Sequence, residues 1–156
     1  MASEMRTITG HLKSALAASH TVYDLSATDA VKVGRFTAPP GAVPFACVSP
    51  PSFDSDAADA PMGQYARRYT FDVMAWVAAG DDPETKALAA TDLADDLATA
   101  LEEDARTTGG GLFAMTSFRD LVVRGTGFDG DEADLAPGYA FVFLVVTVDA
   151  RLSRGV

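Results

Sequence analysis

Two aspartate-rich stretches, "DSDAAD" from Asp54 and "DGDEAD" from Asp129, carry carboxylates at the spacing a calcium loop would use. An EF-hand needs oxygen ligands at positions one, three and five, glycine at six and a bidentate glutamate at twelve. Counting from Asp54, those last three positions hold Ala58, Asp59 and Tyr65; counting from Asp129 they hold Ala133, Asp134 and Ala140. Both stretches lack the turn glycine and the bidentate ligand, so solvated acidic loops are expected and no metal. Nucleophilic chemistry fares no better. His11 and His20 are nine residues apart, off a common helical face, and neither sits in a triad-type motif. Cys47, in the apolar run "AVPFACV", reads as a small buried hydrophobe. Asp92 could approach Asp95 or Asp96 on a helix, but on the polar side of that helix they would be solvated and of ordinary acidity. The glycines at 109–111 follow a helical pattern and precede a strand pattern with no lysine after them, the reverse of a phosphate loop. No catalytic residue, cofactor site or metal site is expected, and so no enzyme.

The elements that would position these residues can be read from periodicity. Residues 4–19 suit an amphipathic helix with Ile8, Leu12 and Leu16 inward, capped by Ser3 or Thr7. Short β-like runs follow at 30–36 and 42–48, split by "TAPPG". The stretch 49–64, with three prolines and three aspartates, reads as a long acidic loop, as does 127–138. "RRYTFDVMAWVAAG" at 67–80 is the clearest strand: Tyr69, Phe71, Val73, Ala75 and Val77 form one face by alternation. Its other face, Thr70, Asp72, Met74 and Trp76, begins polar and ends apolar. A helix follows over 83–105, with Asp82 before Pro83, or Asp81 with Glu84, as its start signal. Ala90, Leu93, Ala94, Leu97, Ala98 and Leu101 make its inner stripe, and the glycines end it. Strands are predicted at 112–126 and 139–152, the last apolar on both faces. Such a strand either lies between two layers of its own chain or turns one face to another subunit.

The expected fold is therefore α+β: one domain over 1–156, with an antiparallel or mixed sheet of about five strands, an N-terminal helix and one long central helix. The chain has 156 residues, 48% of them hydrophobic, enough for a real core. Its net charge of −10 argues against tight nucleic-acid binding. No apolar run is long enough for a bilayer, and a single cysteine suits a reducing compartment, so a soluble protein is expected. Charge is segregated: 81–104 holds nine acidic residues, including Asp95, Asp96, Glu102 and Glu103, against Lys86 alone. Basic residues gather elsewhere, at Arg67 and Arg68, Arg119 and Arg124, and Arg151 and Arg154. A solvated helix face accounts for the acids. Two complementary patches on one chain also supply what a head-to-tail ring contact needs.

The stretch from "RRYTFDVMAWVAAGDDPETKALAATDLADDL" to "GGGLF", after an N-terminal helix, two short strands and a polar loop, resembles the tail terminator (tail completion) proteins of long-tailed bacteriophages and related particles. The matching features are Tyr69, Phe71 and Val73 on the strand, the helix from Pro83 to Asp104, and Gly109 to Gly111. The three glycines and the longer, more acidic 49–64 loop depart from the family pattern. The resemblance implies a homohexameric ring, without catalysis, that caps the tail tube, stops its polymerisation and meets the head–neck connector. It also implies a virion component assembled in the host cytoplasm, with DNA passing unbound through an acidic lumen. Asp54, Asp56 and Asp59 would then lie on a loop facing the lumen or the next ring. Arg67, Arg68, Met74, Trp76, Arg119 and Arg124, with the helix acids, are the interface candidates. Another head–tail joining protein of the neck or minor capsid, or a small-ligand-binding α+β domain, is the alternative.

Overall fold

A computed structural model of the chain describes residues 3–17, 23–56, 64–106, 111–125 and 138–153. The fold is α+β: two helices on one face of a single mixed sheet. Helix α1 (Glu4–Leu16) starts at Ser3, whose side chain accepts from the Arg6 amide at 3.2 Å, and buries Ile8, Leu12 and Leu16. Ser3 rather than Thr7 is thus the cap. Strand β1 (Val31–Val33) runs parallel to β2 (Phe45–Val48), which accounts for the mixed sheet. The proline-rich connection between them does not fold back as a tight hairpin; it crosses over and brings the chain round in the same direction.

Strand β4 (Gln64–Ala78) is the centre, paired antiparallel over its whole length with β6 (Tyr139–Ser153). The order across the sheet is β1-β2-β4-β6-β5, with β5 spanning Phe118–Gly125 at the far edge. The expected loop at 49–64 is corrected here, because Ser52–Asp56 forms β3, pairing with Thr70 to Ala66 of β4 and so placing Asp54 and Asp56 on a strand. Strand β2 holds β4 from Val73 to Trp76, and β3 takes over the same edge further along, giving six strands instead of five. Between them Ser49 keeps the ladder bonded, its amide donating to the Asp72 carbonyl and its hydroxyl accepting the Asp72 amide. Asp59 lies outside the described residues, as do Gly109, Gly110 and 127–137 of the second acidic loop.

Helix α2 (Pro83–Arg106) is capped by Asp82, whose carboxylate accepts from the Thr85 amide at 3.1 Å. It buries Ala90, Leu93, Ala94, Leu97 and Leu101 of the predicted stripe, with Ala98 half-buried, and packs with α1 over the β4 face bearing Tyr69, Phe71, Val73, Ala75 and Val77. From β6 the same core takes Val142, Leu144, Val146 and Val148. The predicted strand at 112–126 begins later, because Leu112–Ala114 is a 3₁₀ turn that drops Leu112 into the core before β5 starts. Gly111 leaves room for the Asp104 carboxylate: a Cβ would stand 2.6 Å from Asp104 Oδ1 and displace it, while Asp104 Oδ2 accepts the Leu112 amide at 3.1 Å.

Candidate functional site

The second sheet face carries the interface candidates Met74 and Trp76. Register aligns Phe45, Trp76 and Phe141 in one row across β2, β4 and β6, and Cys47, Met74 and Phe143 in the next. Ring centroids step from Phe36 to Phe45 (5.3 Å), to Trp76 (5.9 Å), to Phe141 (5.1 Å). Phe36 and Val43, from the β1–β2 connection, fold over this row, leaving Trp76 only 3% exposed. The doubly apolar face is therefore closed at this end from within the chain, and Trp76 is core, not a contact surface. Cys47 is fully buried in the same cluster, and desolvation there pushes its thiol pKa up, against smaller opposing backbone hydrogen bonds. A protonated buried thiol is a poor nucleophile.

The arginines gather where β4 begins and β6 ends, but they do not form a free basic patch. Arg68 holds Asp149 directly across the ladder, Nε to Oδ1 at 2.8 Å and Nη2 to Oδ2 at 3.3 Å. Arg68, Arg119 and Arg151 line one cleft with Asp54, Asp120 and Asp149, so carboxylates stand among the cations. Arg119 is further fixed by donating to the Thr116 and Phe118 carbonyls, both at 2.8 Å. Arg67 points to the opposite face. Its guanidinium lies 4.9 Å from the Phe53 ring centroid, 5.2 Å from Tyr65 and 5.9 Å from Tyr69, with Nε donating to Ser55 Oγ at 2.9 Å. The Tyr69 hydroxyl accepts from Arg67 and donates to Glu4, and burial raises its pKa. Arg67 therefore ties β3, β4 and α1 together, a structural cation. Arg124 is exposed, opposite Val145 on the β5 edge.

On α2 the predicted acidic face holds, with one correction. Glu84, Asp92, Asp95 and Glu103 are exposed along one outer stripe, and Glu102 pairs with Arg106 at 3.7 Å. Asp96, expected to be solvated beside Asp95, is instead 7% exposed and accepts the Tyr23 amide at 2.9 Å. It anchors the chain after α1 to the long helix and is withdrawn from any partner. Burial, then the charges of Asp92 and Asp96, raise the Tyr23 hydroxyl pKa. Among the described residues no three metal-ligating side chains cluster, and no described helix is long and apolar enough to cross a membrane.

Two residues with no predicted role stand out. Leu88 is 60% exposed on the α2 outer stripe between Glu84 and Asp92, and Phe113 is 46% exposed on the 3₁₀ turn. Leu88 was detectable in principle, since it falls four residues after Glu84 and off the Leu93–Leu97–Leu101 stripe. Compared with models of known families the chain matches none, and no curated protein is significantly similar to it.

Proposed function

We propose that this protein is a structural ring component of a phage-type tail, acting as a tail terminator. The observation that carries the reading is the segregation of the surface. Exposed acids run along the outer face of α2, while the far end of the sheet presents a mixed surface, with Arg68, Arg119 and Arg151 standing among Asp54, Asp120 and Asp149. A closed ring of identical copies joined head to tail requires two such unlike surfaces on each copy. The element order also supports it, with the strand bearing Tyr69, Phe71 and Val73 leading into the long helix, as in the family the sequence resembles. In this role the acids that do not meet a neighbour line a passage of negative sign, which lets DNA slide without capture. Partners would be further copies of the chain, the tail tube protein below and the connector above.

Negative-stain electron microscopy and native mass spectrometry of the purified protein, alone and with tube protein, test the reading. Six-fold rings that halt tube growth are the expected result. A ring that binds connector protein but leaves tube growth untouched would favour another head–tail joining role. A monomer carrying a bound metabolite would overturn the structural reading altogether.

A further inference from the structure

A groove opens where the end of α2 meets the start of β5. It has a volume of about 360 Å3 and is lined by Ala105, Phe113, Phe118 and Leu121 together with Arg106, Arg119 and Asp120. Four of its seven lining residues are apolar, two are arginines and one is Asp120, and Arg106 also meets Glu102 at 3.7 Å on the exposed helix surface. At the other end of α2 stands the converse shape. Leu88, the most exposed large apolar side chain among the described residues, projects from the helix with Glu84 one turn before it and Asp92 one turn after. An apolar knob between two acids suits, in shape class and in net sign, a largely apolar groove whose two arginines outweigh Asp120.

We infer that Leu88 of one copy seats in the Phe113–Phe118–Leu121 groove of a second copy, with Glu84 and Asp92 meeting Arg106 and Arg119. The contact cannot close within one subunit. Leu88 and Arg106 are on one straight helix, separated by about 27 Å at the standard rise. Knob and groove are different surfaces on each copy, so the contact is head to tail, and each copy filled at one end offers its own knob at the other. The apolar centre supplies the buried anchor while the charged rim fixes register and rejects a like-charged approach. Phe113 and Leu88 would both lose the water contact that leaves them exposed in the single chain. This rests on the self-assembly reading above, and it names the surfaces that reading leaves open.

The test uses the full chain. Leu88→Cys combined with Phe113→Cys should, under a mild oxidant, give a ladder of covalent dimers, trimers and higher species ending at the ring number. Buried Cys47 does not compete. Leu88→Asp should leave the protein folded, with only a small fall in melting temperature from weaker helix propensity and the like charges of Glu84 and Asp92, and should remove the assembled species at concentrations where the parent protein is fully assembled. Arg106→Glu with Arg119→Glu should also dissociate it, and mixing that variant with Glu84→Arg/Asp92→Arg should restore mixed oligomers. Six-fold rings that neither cross-link nor respond to Leu88→Asp would overturn this contact and leave the terminator reading standing. A cross-linked, Leu88-dependent assembly of other symmetry would uphold the contact and overturn the six-fold ring. A protein that stays monomeric at every concentration, with and without tube protein, would overturn both.

Discussion

Asp95 and Asp96 are neighbours in sequence with opposite fates, and replacing each by alanine separates surface charge from structural anchoring. Asp96 is buried and accepts the Tyr23 amide at 2.9 Å; Asp95 is exposed. A hydrogen bond to a charged acceptor contributes about 1.5–3 kcal/mol, and its loss leaves the Tyr23 N–H without that partner. Alanine's better helix propensity returns roughly 0.5 kcal/mol at either position. Asp96→Ala should therefore destabilise by about 1–2.5 kcal/mol, a Tm decrease of roughly 2–10 °C for a domain of this size. Asp95→Ala should stay within about 0.5 kcal/mol of the parent. Asp96→Asn, which keeps an acceptor oxygen, should fall between them. Urea denaturation followed by circular dichroism measures all three, and amide exchange at Tyr23 reports the local bond directly. If Asp96→Ala matched Asp95→Ala, with Tyr23 exchange unchanged, the anchoring role would be refuted.

Gly111→Ala should cost about 1 kcal/mol by displacing the Asp104 carboxylate from the Leu112 amide, and should cost much less in an Asp104→Ala background. Additive effects in that double-mutant cycle would count against the contact. Trp76→Ala removes a buried aromatic from the Phe45–Phe141 row and should destabilise by about 3–5 kcal/mol in chemical denaturation; a loss below about 1 kcal/mol would mean that the row is loosely packed. Burial raises the pKa values of Cys47, Tyr23 and Tyr69 above their ordinary 9.0, 10.0 and 10.0, so the folded state holds protons that the unfolded chain releases. Their contribution is complete below about pH 9 and is lost as pH rises towards the folded-state values. The urea midpoint should therefore fall in alkaline solution, and a flat or rising profile from pH 8 to 11 would contradict the shifts.

Elements whose burial follows a local period were legible from sequence. The alternation from Tyr69 to Val77 and the Leu93–Leu97–Leu101 stripe name the two surfaces that form the core, because each residue's environment depends on its own element's repeat. Strand β3 was not legible, since Phe53 is its one large apolar residue and its stability comes from a partner strand and from Arg67 lying over the Phe53 ring. Asp96 was misread for the same reason: its burial is created by the segment at Tyr23, more than seventy residues earlier. The parallel direction of β1 and β2 follows from where a connection leads, which Pro and Gly mark as a break without giving its heading. As for the candidate site, the charge segregation was visible, but the cross-strand capture of Arg68 by Asp149 and the separate groove beside Phe113 depend on register and on how α2 meets β5.

The position of β6 has a consequence for how the molecule comes into being. It is the last described strand in sequence, yet it sits between β4 and β5 and, among the described residues, supplies the only ladder that β5 has. During synthesis β4 and α2 emerge first, with nothing to occupy the long edge of β4 that faces away from β2 and β3. The sheet can close only when β6 has emerged, through pairs such as Ala78 with Tyr139 and Gln64 with Ser153, far apart along the chain. Such closure is slow compared with helix formation. The groove beside Phe113 uses Phe118, Arg119 and Leu121 of β5, so it cannot exist before that step. A nascent chain is thereby kept out of any assembly that uses the groove until β6 has emerged and paired.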